Sequence, residues 1–184
     1  MKNHEQIPTW IMIKVVNFST FIDVLHNSKS PVTHAICKLY SMYDDHGLPN
    51  VKLLIGSLHW LRRVRNSCAH NERVYCIHQT QAQNNSASGR ILDPYYAQLP
   101  TAYSRCTKKN IFDILIYFKY FLPKEEFSPM IIELKNMLIE LQNTLQPNAF
   151  DNVRGQMGIK DLNVLDTLIA LPKSKIEYHK FDTL

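Results

Sequence analysis

The stretch of sequence that decides the fold is Val51–Ala69, which has the sequence VKLLIGSLHWLRRVRNSCA. Apolar side chains such as Leu54, Leu58 and Leu61 recur in it at intervals of three or four residues, which is the spacing of one face of an α-helix. A loop with glycine and proline, Asp44–Asn50, precedes it. We therefore predict one long helix here, the third in the chain.

The segments on either side also show helical spacing, and none shows the alternation of a strand over any length. The patterns run over Pro8–Leu25 with a kink near Asn17–Thr20, from about Val32 to Tyr43, over Ile111–Leu122, from Ser128 until Pro147 ends the helix, and over about Leu162–Leu171. The fold class that follows is all-α.

The domain organisation follows from the same patterns. We predict a single domain over residues 7–171, with a flexible loop at about 79–106 and a C-terminal tail at 172–184. Residues 79–90, QTQAQNNSASGR, are polar and small and lack periodicity, which is typical of a loop. The glycine-containing stretch Arg154–Gly158 is predicted to link the last two helices.

The bulk composition is that of a basic globular protein. The 184 residues carry a formal net charge of +5, which is compatible with a polyanionic partner such as RNA. Four scattered cysteines and the lack of a secretory signal at the start of the sequence predict a cytoplasmic protein with free thiols. Asp113 and Lys119 interrupt the most apolar segment, so we expect a core helix there and no membrane association.

The end of the third helix holds an arginine on an apolar face. On a helical wheel Arg65 falls in the same stripe as Leu54, Leu58, Leu61 and Cys68. A buried guanidinium without a partner is costly, so Arg65 should meet a carboxylate, a polar ligand or another subunit. A core salt bridge, for example with Asp113, is as good an explanation as a functional site on this evidence.

A second group of polar residues lies on the neighbouring sector of the helix. Asn66 and His70 are four residues apart, so their side chains can touch. Arg65 and His70 are about 140° apart on an ideal helix. They converge only if the helix loosens near Asn71 or if two copies meet across a dimer axis.

These residues carry a family resemblance. Arg65–His70, RNSCAH, resembles the R-x4-H motif of HEPN domains, and Asn71–Tyr75, NERVY, is similar to the segment that follows it in Abi-D and Abi-F proteins of abortive infection. Pro8–Thr20, PTWIMIKVVNFST, resembles the opening helix of that family. The segment Leu58–Leu61 and the methionine-glycine of Gln156–Gly158 also fit. Members usually have a further N-terminal part, so we expect a short natural form or a fragment.

The resemblance implies a HEPN-like helical bundle with additional C-terminal helices, acting as an endoribonuclease in phage defence. It implies no metal or other cofactor, because the 2′-OH of the RNA attacks the adjacent phosphate and leaves a 2′,3′-cyclic phosphate. His70 would act as general base or acid, Arg65 would stabilise the transition-state charge, and Asn66 would orient His70 or the phosphate.

The same resemblance implies the partners. Arg62, Arg63 and Arg73 would hold the RNA backbone. A homodimer would form one RNA cleft from two motifs, and an antitoxin or a regulatory protein is a further expected partner.

Other interpretations remain open at this stage. One is a HEPN module that binds RNA, a nucleotide or a protein without cutting. Another is a zinc site built from Cys68-x-His70 and Cys76-x-His78, although a gap of one residue is poor for tetrahedral zinc. Tyrosines near the flexible loop could stack on bases beside a basic cluster or simply pack in the fold; the residues concerned are Tyr95, Tyr96, Tyr103, Arg105, Lys108 and Lys109.

Overall fold

The structure is a computed structural model and describes residues 16–44, 46–77, 92–96, 98–99 and 110–173. Seven helices of eight residues or more are present in these ranges: α1 Phe18–His26, α2 Ser30–Leu39, α3 Val51–Ala69, α4 Ile111–Phe121, α5 Lys124–Thr144, α6 Pro147–Met157 and α7 Asn163–Ala170. Two single turns, Val74–Cys76 (3-10) and Asp93–Tyr96, lie between α3 and α4 in the chain. No strand occurs in the described part of the chain, so the predicted all-α fold class is confirmed.

Helix α4 forms the centre of the fold. Nine of its eleven residues are buried, which is typical of a helix surrounded by other elements. It contacts α3, which packs on α1 and α2, and it contacts α5, which packs on α6 and α7. The prediction of a core helix at this position is confirmed. Within the described ranges, no helix combines the length and apolar character that a membrane span requires.

The bounds of α3 agree with the sequence pattern, and those of its neighbours differ. Helix α1 begins at Phe18, after the cap Asn17, whose side chain accepts a hydrogen bond from the Thr20 N–H at 2.9 Å. The predicted kink near Asn17–Thr20 also involves the segment from Pro8 onward, so it stays a prediction. Helix α2 ends at Leu39 and not at Tyr43, since Ser41 adopts the left-handed conformation with φ 54°. Residues 1–15, which include Pro8, lie outside the described residues.

The C-terminal helices also depart from the prediction. Helix α5 begins at Lys124, four residues before Ser128, and Pro129 lies inside it. The carbonyl of Glu125, which Pro129 leaves without its helical donor, belongs to an exposed residue and can bind water. Pro147 is the first residue of α6, which extends through Arg154 to Met157, so most of the stretch that was predicted to link two helices is itself helical.

The predicted flexible loop at about 79–106 falls largely on residues outside the described ranges. The described pieces of it include the turn Asp93–Tyr96, where Tyr95 and Tyr96 are buried. Tyr95 packs on Tyr120 and Tyr96 packs on Phe112. Stacking of these two tyrosines on RNA bases is therefore wrong, since their rings contribute to the core. Tyr103, Arg105, Lys108, Lys109 and the tail 174–184 also lie outside the described residues.

Candidate functional site

The predicted site residues lie at the C-terminal end of α3, where the helix leaves the core. The leucines in its first half are buried or half-buried, whereas Arg65, Asn66 and His70 are exposed. Ser67 is the exception in this last turn, with a relative exposure of 7%. The sequence motif is thus presented on the surface, at the end of α3.

The burial of Arg65 that the helical wheel suggested is wrong. Leu54 and Leu58 on the same stripe are buried, but Arg65 and Cys68 are exposed because the core ends before the helix does. Asp113 is 2% exposed and accepts a hydrogen bond from the Tyr96 hydroxyl. No ion pair joins Arg65 to Asp113, so the core salt bridge is not its role.

Helix α3 ends in a Schellman motif directly at the predicted catalytic histidine. The Glu72 N–H donates to the Ser67 carbonyl at 2.9 Å, and the Asn71 N–H donates to the Cys68 carbonyl at 3.1 Å. Asn71 adopts the left-handed conformation with φ 56°. His70 is the C-cap residue and Asn71 follows in the left-handed conformation, so the helix ends next to Asn71, where the sequence suggested a loosened end.

The side chains of Arg65 and Asn66 contact each other. Arg65 Nη1 donates to Asn66 Oδ1 at 3.1 Å, so Asn66 orients Arg65 in this structure. The backbone carbonyl of Asn66 accepts from the His70 N–H at 3.0 Å. Within the described part of the chain the His70 imidazole has no hydrogen-bond partner, so no hydrogen bond joins it to the Asn66 side chain, which the helical spacing places within reach.

The other predicted arginines line the same end of the helix. Arg62 and Arg63 are half-buried, and Arg73 is exposed after the helix has ended. The Arg63 guanidinium lies 5.5 Å from the centroid of the Trp60 ring, a cation–π distance.

His59, one turn before Arg62 and Arg63, is the titratable group that this basic surface perturbs. Its pKa is lowered below the ordinary value of 6.5, first by burial and then by the positive charge of Arg62. Asp23 on α1 opposes this shift and His26 adds to it. Burial and the nearby Arg62 together favour the neutral form of the His59 imidazole.

The described residues do not contain all the ligands of the zinc site that the sequence left open, Cys68-x-His70 with Cys76-x-His78. Cys68 is an exposed free thiol, Cys76 is half-buried, and His78 lies outside the described residues. The Cys76 thiol donates to the Arg73 carbonyl at 3.3 Å. No group of three or more potential metal ligands was found among the described histidines, cysteines and acids.

Sequence reasoning missed one interaction at this site. Ser67 Oγ donates to Glu72 Oε2 at 2.6 Å across the end of the helix. The two residues are five apart, a spacing that brings no contact within a helix. The signal that could have found it is Asn71, a residue that tolerates the left-handed conformation and therefore permits a chain reversal.

The comparisons with known proteins bear on the N-terminal part of the chain. No curated protein and no solved structure matches the sequence. The family model described as Abi-like protein matches residues 1–76, a range that contains α1, α2, α3 and the whole segment Arg65–Arg73. This match supports an abortive-infection family for that part of the chain.

Proposed function

We propose that the protein is a metal-independent endoribonuclease of an abortive-infection system, with Arg65, Asn66 and His70 as its catalytic residues. The observation that carries the proposal is that these three residues are exposed together at one helix end, with the Arg65 guanidinium already oriented by Asn66. An arginine and a histidine are suited to phosphoryl chemistry that uses the 2′-OH of RNA as nucleophile.

The reaction removes one proton from the 2′-OH and adds one proton to the 5′-oxygen of the leaving group. The 2′-oxygen bonds to phosphorus, the bond from phosphorus to the 5′-oxygen breaks, and a 2′,3′-cyclic phosphate and a 5′-hydroxyl result. His70 takes the proton from the 2′-OH or gives one to the leaving 5′-oxygen, because an imidazole serves in either role, and solvent water accepts or supplies the other proton. Arg65 stabilises the extra negative charge on the phosphate oxygens with its planar set of donors.

Binding of RNA is assigned to the arginines around this centre. Arg62, Arg63 and Arg73 lie at the same end of α3 or just after it, and the chain as a whole carries a net charge of +5. Contacts of arginine with phosphate give affinity without sequence information and weaken as salt rises. We therefore expect RNA to lie across this end of the helix.

A homodimer completes the proposed site. In one chain Arg65 and His70 share no hydrogen bond, and both side chains are exposed. A two-fold axis near the end of α3 would place the motif of a second copy opposite the first, so that the two motifs together line one RNA cleft.

The experiment compares wild type with Arg65→Ala and His70→Ala on a single-stranded RNA in excess EDTA. Each substitution should lower the cleavage rate by about a hundredfold or more, because it removes a charge-stabilising or proton-transferring group. Lys52→Ala is the matched control, since Lys52 is an exposed cation in the first turn of the same helix.

The products and substrates test the mechanism. The expected ends are a 2′,3′-cyclic phosphate and a 5′-hydroxyl, and RNA with a 2′-O-methyl group at the cleavage position should stay intact because the nucleophile is blocked. Cleavage lost in EDTA and restored by magnesium or manganese would contradict the mechanism. Full activity of His70→Ala would contradict the site.

The second candidate function is a non-catalytic module that binds RNA, a nucleotide or a protein. The observation that favours it is the absence of any hydrogen bond between the described side chains of Arg65 and His70. In that case wild type and His70→Ala would bind RNA equally and neither would cut it. Arg63→Ala would weaken binding in a salt-dependent way under either function.

A further inference from the structure

Two residues outside the predicted site enclose His70 in a closed loop. Ser67 and Glu72 are joined by the backbone hydrogen bond of the Schellman motif at 2.9 Å and by the side-chain bond from Ser67 Oγ to Glu72 Oε2 at 2.6 Å. Ser67 is buried although its neighbours in the last turn are exposed. The segment between them contains His70 and is therefore fixed at both ends.

The closed loop holds the chain in a conformation that is unfavourable by itself. Asn71 has φ 56°, and a residue other than glycine is disfavoured in the left-handed region, although asparagine is tolerated there better than most residues. A hydrogen bond to a charged acceptor is shorter and stronger than a neutral one. The Ser67–Glu72 bond therefore offsets the cost of the reversal at Asn71.

The placement of His70 depends on this loop. Its imidazole has no hydrogen-bond partner in the described part of the structure, so its position relative to Arg65 comes from the backbone alone. Its N–H bonds to the Asn66 carbonyl, which ties the same loop to the residue that orients Arg65. Loss of the loop would let His70 move while Arg65 stays on the helix.

We propose that Ser67 and Glu72 are positioning residues that hold His70 in register with Arg65 and Asn66 for RNA cleavage. The inference rests on the proposed ribonuclease function. Glu72 itself is assigned no proton transfer, because its carboxylate is bound to the Ser67 hydroxyl. The Glu72 carboxylate would repel a phosphate bound nearby, and the stronger hydrogen bond that this charged group accepts from Ser67 offsets the repulsion.

The experiment measures kcat and KM for Ser67→Ala, Glu72→Ala and Glu72→Gln. The alanine variants should lose about tenfold in kcat, the effect of one hydrogen bond to a charged group, with KM changed by less than about twofold. Glu72→Gln should stay within about threefold of wild type, because the amide oxygen still accepts from Ser67. Glu133→Ala, which removes an exposed carboxylate on α5, is the control for charge and should match wild type.

Two kinetic outcomes would overturn the inference while leaving the ribonuclease intact. One is an unchanged kcat in both alanine variants. The other is a Glu72→Gln variant as slow as Glu72→Ala, since the charge and not the hydrogen bond would then be required. Thermal unfolding of each variant checks that the assays compare folded proteins.

A second measurement separates this inference from the proposed function. Hydrogen exchange at the Glu72 amide, which donates to Ser67, should become faster by about tenfold in Ser67→Ala and Glu72→Ala. If no variant cuts RNA but exchange rises as expected, the ribonuclease proposal fails and the loop is still shown to depend on the pair. The positioning role would be refuted, even in an active enzyme, if two measurements in Ser67→Ala and Glu72→Ala matched wild type. These are the hydrogen exchange of the Glu72 amide and the NMR signals of the His70 imidazole.

Discussion

At the residue scale, Gly158 is the position where a side chain is least tolerated. It follows α6 with φ +80°, and a Cβ built on it would lie 2.0 Å from Asn110 Nδ2. Asn110 cannot easily move away, because it is buried and its side chain accepts from the Phe112 N–H at the start of α4. Gly158 therefore lets the end of α6 pack closely against the start of the central helix α4.

We predict that Gly158→Ala destabilises the fold by about 2 kcal/mol or more, through both left-handed strain and overpacking. Gly155→Ala is the matched control, since nothing lies within 4 Å of a Cβ there and the residue is helical. It should stabilise the protein by about 0.5–1 kcal/mol. Urea unfolding of both variants decides the matter, and equal stability of the two would contradict the role given to Gly158.

At the element scale, two lysines attach α7 to the rest of the bundle in different ways. Lys119 on α4 is 5% exposed, and its Nζ donates to the Leu168 carbonyl and, at 3.4 Å, to the Ile169 carbonyl. These carbonyls belong to the last turn of α7, where helical donors are missing and a cation is favoured. Lys135 on α5 pairs with Asp166 at 2.6 Å on the surface.

Because Lys119 is more deeply buried than Lys135, we expect the two lysines to contribute unequally to the free energy of unfolding. We predict that Lys119→Met lowers the free energy of unfolding by about 1–3 kcal/mol, because it leaves buried carbonyls without a donor. Lys135→Met should cost at most about 1 kcal/mol, and that cost should shrink at high salt. Thermal unfolding at two salt concentrations tests both, and a larger loss in Lys135→Met would show that the surface ion pair is the stronger attachment.

Helix α3 shows how one element serves both core and site. Its first turns are anchored by buried leucines, and its last turn carries exposed polar residues. The 3-10 turn Val74–Cys76 that follows packs on α3, α4 and α6, which returns the chain to the core immediately after the motif. The candidate site thus lies between two segments that pack in the fold, the first turns of α3 and the turn Val74–Cys76.

At the scale of the whole molecule, the exposed motif leads us to predict a homodimer with the ends of the α3 helices near the two-fold axis. Cys68 is an exposed thiol in that turn. A short bifunctional maleimide should therefore cross-link two copies, and Cys68→Ser should abolish this product while Cys76→Ser retains it. Light scattering that finds only monomer at the highest soluble concentration would count against the dimer and against a cleft made of two motifs.

The sequence by itself determined the all-α class, the bounds of α3 and the core position of α4, because these depend on apolar spacing within one segment. It also indicated the candidate site Arg65–His70, which stays a prediction. It did not determine the start of α5 or the existence of α6, since a proline can lie in the first turn of a helix as well as after its end.

Only the tertiary structure decided which parts of these helices lie in the core. The apolar stripe of α3 continues to Arg65 on a helical wheel, yet the packed neighbours stop earlier and leave Arg65 exposed. Tyr95 and Tyr96 turned out to be buried, because a helix distant in sequence packs on their rings. The Ser67–Glu72 bond depends on the chain reversal at Asn71. Apolar spacing shows which residues share one face of a helix. Whether that face is buried depends on other segments of the chain that pack against it.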